Sequence, residues 1–168
     1  MPIRPQQQPR ASYAADPALQ LAISGANQDL AMARAQADER RRMLLLDYGD
    51  PTLAQTYYGG DSGYVGSVRS NPYGMQQRME KNYGRGQEML NENMNPRNLW
   101  YGGHRAKALS ELAEQYGEQR YDASQGTQRA LMELADFLLG SEADARNRKI
   151  AAEMDAYNRA LQTQIPRG

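Results

Sequence analysis

Bulky hydrocarbon is scarce in this chain, and that scarcity limits what it can fold into. Leu, Ile, Val and Phe together supply 23 of 168 residues, with only two Val and one Phe. That is about 14%, below the roughly 20% at which a chain of ordinary composition builds a normal core. Yet the net charge is zero, so self-repulsion does not hold the chain open. A polypeptide of this kind stays loose when alone, or buries its few apolar stripes against neighbours. The sequence therefore predicts packing between chains, and assembly rather than catalysis.

The apolar residues fall at helical spacing. Leu19, Ile23, Ala26, Leu30, Ala33, Ala37 and Leu44 follow one another at fours and threes, with Arg40 in the one missing place. This is a heptad-like seam, and it predicts a helix over 16–47. Its alanines allow close approach while burying little area per layer. Residues 72–97 form a Met-rich helical segment, with Met75, Met79, Tyr83, Leu90 and Met94 on one stripe. Met serves an adaptable contact surface and an irregular core equally well. Gly84 and Gly86 predict a break near its middle.

The stretch 98–163 carries the only Trp, Phe and His, and reads as a C-terminal helical pair. Leu109, Leu112, Tyr116, Leu131, Leu134 and Leu138 form the first stripe, and Ile150, Met154, Tyr157 and Leu161 the second. Gly140 is a candidate C-cap. Ser141 to Asp144 fits a capping box that starts the last helix. Trp100 and Tyr101 are the expected anchoring contact, since aromatic residues dominate interface hot spots. The interface set is therefore Trp100, Tyr101, Leu109, Leu112, Tyr116, Leu131, Leu134, Leu138, Ile150, Met154 and Tyr157.

The remainder is punctuation. Pro2, Pro5 and Pro9 make residues 1–15 an extended arm. Asp16-Pro17, Asp50-Pro51, Asn71-Pro72 and Asn95-Pro96 are Asx-Pro pairs, which serve as helix starts or as plain turns. Residues 48–71 read as a loop-rich linker, in which Asp50-Pro51 starts a short helix through Thr56 and a Gly/Tyr-rich central loop follows from Tyr57 to Gly66. Six Tyr-Gly dipeptides occur where chance predicts about one. Tyr gives a large ring with a polar tip, and Gly lets another backbone approach. A biased composition without purpose is the other reading. The expected fold class is mainly α: elongated helices with coiled-coil-like seams, the arm and the loop.

Chemistry is thin. The chain has one His and no Cys, which removes disulfides and most metal and nucleophile arrangements. Gly60-Asp61-Ser62-Gly63 matches the sequence around the nucleophile of chymotrypsin-like proteases. That fold needs many strands, and a His upstream of the serine. Here His104 lies downstream, and a Gly-rich turn suffices. No catalytic residue, cofactor or metal is expected. The longest bulky apolar run is Met43 to Leu46, which predicts neither a signal peptide nor a membrane span. Arg40 to Arg42 make a nucleic-acid contact possible, though the net charge does not indicate one.

Leu45 to Pro51 (Leu-Leu-Asp-Tyr-Gly-Asp-Pro), Asn98 to Leu109 (Asn-Leu-Trp-Tyr-Gly-Gly-His-Arg-Ala-Lys-Ala-Leu) and Glu118 to Ala123 (Glu-Gln-Arg-Tyr-Asp-Ala) carry a resemblance. The chain resembles small helical virion proteins of tailed bacteriophages. Those relatives often have Asn-Leu-Phe-Tyr-Ser-Gly where this chain has Trp100 and Gly102. The resemblance implies a structural part of a virion, in the neck, tail or internal ejection apparatus, made in the host cytoplasm. Its implied partners are copies of itself and other virion proteins. Two alternatives stay open: a non-viral coiled-coil adaptor or scaffold, and a DNA-associated internal virion protein.

Overall fold

The computed structural model describes residues 13–94 and 103–164, the side chains of Met94 and Gln164 excepted. Of the described residues, 91% are helical and none is in a strand. Five helices follow in order: α1 (Pro17–Tyr48), α2 (Pro51–Tyr58), α3 (Ser62–Ser70), α4 (Met75–Met94) and α5 (Gly103–Gln164). The expected arm lies mostly outside the described residues, as do Asn95-Pro96, Trp100 and Tyr101.

Local chemistry explains the starts. Asp16 Oδ1 accepts the Ala18 N–H at 2.8 Å just before Pro17 opens α1. Asp50 Oδ1 accepts the N–H groups of Thr52 and Leu53, with Pro51 in the first helical position of α2. In both, a side-chain oxygen satisfies N–H groups that a first turn leaves without partners. Asn71-Pro72 instead makes a turn: Asn71 Oδ1 accepts the Tyr73 N–H, its amide donates to the Leu46 carbonyl, and α4 begins only at Met75.

Three expectations are corrected. The stretch from Tyr57 to Gly66 is not one loop, because α3 begins at Ser62, while the short helix expected from Asp50-Pro51 is α2 and runs on to Tyr58. Asp61 is the reason: its Oδ1 accepts the Tyr64 N–H at 2.9 Å, so Gly-Asp-Ser-Gly is the start of a capped helix. The C-terminal helical pair is one uninterrupted helix of 62 residues. Gly140 lies inside it, and Ser141 Oγ donates back to the Phe137 carbonyl at 2.8 Å instead of capping a new start. Gly84 and Gly86 do not break α4. At Gly86 an added Cβ would lie 3.1 Å from both terminal carbons of Leu112, so the missing side chain is the space Leu112 occupies.

The chain divides into two units, and α1 and α5 contribute to both. The first comprises residues 1–37 and 136–168. In it α1 and α5 run antiparallel, since Asp16 pairs with Arg159, Asp29 with Arg148 and Arg34 with Glu142. The second comprises residues 38–135. Ala54, Val65 and Val68 from α2 and α3 form its core cluster, with Leu46 and Tyr64 packed against it. Leu45 and Tyr48 are buried as well. Two of the Tyr-Gly glycines meet here: Cβ atoms added to Gly49 or Gly74 would each lie 3.0 Å from the other's Cα. Gly49 also has φ of 76°, so no other residue sits there without strain.

Candidate assembly surface

In the first unit the buried face and the bulky residues lie apart. Within 136–163 of α5, the residues short of full exposure are Leu138, Ser141, Ala145, Lys149, Ala152, Ala156 and Ala160. Their spacing of three, four and four repeats every 11 residues, close to the 3.6-residue turn of a straight helix. Ala145 and Ala156 are fully buried, as are Leu19, Ala26 and Ala37 of α1. Small side chains on both helices allow close approach. Tyr13 adds an edge-on contact to the Tyr157 ring, with centroids 5.9 Å apart.

A second apolar stripe runs along α5 five residues further on. It comprises Leu139, Ala143, Ile150, Met154, Tyr157 and Leu161, with Arg146 in the remaining place. Five residues at this period are about 130° of rotation, so the stripe is clear of the alanine face. Its large members stay open: Leu139 is 64% exposed, Met154 62%, Tyr157 47%, Ile150 45% and Leu161 41%. A large apolar side chain gains about 1.5–3 kcal/mol from full burial. Much of that is left unrealised at five neighbouring positions. Scattered exposed apolar residues need no explanation, but a contiguous patch marks an interaction site.

The residues expected to form one interface set fall in different settings. Leu112 is half-buried against Gly86, and Tyr116 stacks on Tyr83 with centroids 4.6 Å apart and planes 21° from parallel. Leu131 is buried, while Leu109, Leu134 and Leu138 are half-buried. Ile150, Met154 and Tyr157 are on the open stripe. Trp100 and Tyr101 lie outside the described residues. The lone His104 is exposed.

The arginine run belongs to a polar knot. Arg42 contacts Asp38 and Asp61, each at 3.1 Å. Its guanidinium lies 4.6 Å from the Tyr58 ring centre and 5.1 Å from that of Tyr64. Tyr58 donates its hydroxyl to Asp38 Oδ1 at 2.6 Å, and Tyr64 donates to the Arg42 carbonyl. The Tyr58 hydroxyl, more than Arg42, holds the Asp38 carboxyl below its ordinary range. The Tyr64 N–H, with Arg42 second, does the same for Asp61. Burial, aided by the Asp38 charge, pushes the Tyr58 phenol up to about 12. Every group in this knot is answered by another, so it ties α2 and α3 to the end of α1. Sequence reading missed it because its members are spread from 38 to 64. The one available signal was a group of tyrosines, from Tyr57 to Tyr64, some 15–22 residues after the arginine run.

Among the described residues there is no group of His, Cys, Asp and Glu able to hold a metal ion. No helix there is long and apolar enough to cross a membrane. No protein-family model, no curated protein and no solved structure matches the chain.

Proposed function

We propose that this chain is a structural subunit of a tailed-phage virion, working by helix packing against neighbouring subunits. The observation that carries the assembly role is the open stripe from Leu139 to Leu161 beside a packed face built of alanine. A chain poor in large apolar side chains leaves five of them in water on one helix. That arrangement is stable economy only where another surface covers them. The virion setting comes from the resemblance carried by Leu45 to Pro51, Asn98 to Leu109 and Glu118 to Ala123. The neck, tail and ejection apparatus are the places where a multi-copy helical subunit fits this description.

The DNA-associated reading draws less support. Of the three consecutive arginines, Arg42 is engaged by Asp38 and Asp61 and between two tyrosine rings, and Arg41 lies 5.3 Å from the centre of the Tyr57 ring. A phosphate contact by Arg42 would compete with Asp38 and Asp61. The test is made on purified particles. Peptides of this chain quantified against the major capsid protein are expected at a fixed stoichiometry, and a tag on the chain should decorate one site of the particle. Particles free of the chain would overturn the reading.

A further inference from the structure

We infer that the open stripe of α5 pairs with the same stripe of a second copy, antiparallel, about a two-fold axis at Ile150. This rests on the assembly reading and deepens it by naming the occupant. An isologous two-fold pair needs one patch that is complementary to itself, and three features of the stripe meet that condition.

The first is size. With Ile150 on the axis, Leu139 lies level with the partner's Leu161, and Ala143 with the partner's Tyr157. At Ala143 a small residue faces the large Tyr157, while Leu139 and Leu161 meet as two leucines of equal size. The second is charge. Arg146 is the one charged residue within the stripe, and Glu153 sits on its border. Neither takes part in an ion pair among the described residues, although Glu142, on the same border, is held by Arg34 at 2.7 Å. In the antiparallel register Arg146 comes level with Met154 of the second copy, one residue from Glu153 there.

The third is handedness of approach. Antiparallel helices related by a perpendicular two-fold bring the same flank of each together, whereas parallel helices bring opposite flanks together. Seven residues from Arg146 to Glu153 at the 11-residue period are about 33° short of two full turns, so both residues lie on one flank. They meet in the antiparallel pair, twice by symmetry. A parallel pair in register would instead set Arg146 near its own copy, which like charge disfavours. The stripe from Leu139 to Leu161 is about 33 Å long at 1.5 Å per residue, enough for seven layers of contact.

The full-length chain is studied by sedimentation equilibrium, with helix content followed by circular dichroism. A dimer is expected. Ile150→Asp should leave the helix signal unchanged and yield monomer. Arg146→Glu or Glu153→Arg alone should weaken association by at least about tenfold, from like charges facing each other. The double variant should restore it to within about twofold, the tolerance of a closed charge-swap cycle. Orientation is read separately, because the chain has no cysteine. A mixture of Leu139→Cys and Leu161→Cys chains should cross-link through a short bis-maleimide, and Leu161→Cys alone should not. A monomer, a dimer indifferent to Ile150→Asp, failure of the double swap to restore association, or cross-linking of Leu161→Cys to itself would each overturn the pairing. A monomeric chain still found in particles defeats the pairing and leaves the structural-subunit reading intact. A dimeric chain absent from particles does the reverse.

Discussion

The two units bury different kinds of side chain. In residues 38–135, Leu45, Val65 and Val68 are buried, and a cation shared by two carboxylates and two tyrosine rings ties the short helices to α1. In residues 1–37 and 136–168, alanines and ion pairs join the two helices, while Leu21, Met32, Leu139, Ile150 and Met154 stay exposed. The difference teaches where each unit gets its stability. Residues 38–135 bury a cluster of branched aliphatic side chains, while Met43, Tyr73, Met89, Tyr121 and Met132 stay exposed there. Residues 1–37 and 136–168 form a close seam of mostly small side chains, worth little per layer, and leave a row of large residues outward on α5.

That contrast breaks if bulky residues in both units matter equally. Leu45 is fully buried, so Leu45→Ala should lower unfolding free energy by about 2–5 kcal/mol, through lost transfer energy and the cavity left behind. Leu21 is 76% exposed, and Leu21→Ala should change it by no more than about 0.5 kcal/mol. Urea midpoints at constant slope measure both. Equal losses would mean that the alanine-lined unit is as dependent on large side chains as the other.

The seam itself is probed by adding bulk. Ala145 is buried, and its neighbours on the face are mostly small. Ala145→Leu should cost about 1–3 kcal/mol, because a close-packed contact cannot take extra methylenes without moving the helices apart. A neutral or stabilising outcome would show that the face has room, and that alanine there reflects helix propensity rather than approach distance. Comparable is the effect at the turn between α1 and α2. Gly49→Ala forces an L side chain to φ of 76°, at about 1–2 kcal/mol. It also sets a methyl 3.0 Å from the Gly74 Cα, so the measured loss should lie at or above that range.

Much of this was legible in the chain, and the failures share a cause. The first helix was readable from its periodicity, and two of the three described Asx-Pro pairs cap helices. In α1, Leu19, Ile23, Ala26, Leu30, Ala33 and Ala37 are all buried or half-buried. Beyond Ala37 the face advances through Arg41 to Leu45 and Tyr48, so Arg40 was the sign of a step to an 11-residue period. Glycine misled twice. Counted by propensity, it breaks helices. In α4 and α5 it stands inside them, once to admit Leu112. The surface was harder still. Ile150, Met154, Tyr157 and Leu161 are the strongest-looking stripe of the last helix, yet alanines on another face make its contact with α1. Size alone does not say which of two stripes a helix spends at home.

The smallest effects separate the units by pH. Asp38 and Asp61 in the knot, and Asp16 in the helix pair, all have carboxyls held below the ordinary value. For Asp16 the Arg159 side chain is the main cause and the Ala18 N–H the second. A carboxylate whose pKa is lower in the folded state adds stability that is present above the unfolded value, near 4. That contribution disappears as pH falls through the folded value, so acid weakens both units. Alkali acts on the knot. Tyr58 has its phenol raised from 10 to about 12, so the folded state holds this proton more tightly than the unfolded state does. Its contribution is complete below pH 10 and lost as pH rises towards about 12. Tyr58→Phe should therefore flatten the fall in urea midpoint between pH 10 and about 12 while leaving the acid side sloping. Arg159→Ala should do neither at high pH. Its small cost at neutral pH should shrink with added salt, because the pair it breaks is partly in water. If Tyr58→Phe leaves the alkaline slope unchanged, the knot is not what holds α2 to α1, and the closure of α2 and α3 onto α1 rests on Leu45 and the two valines.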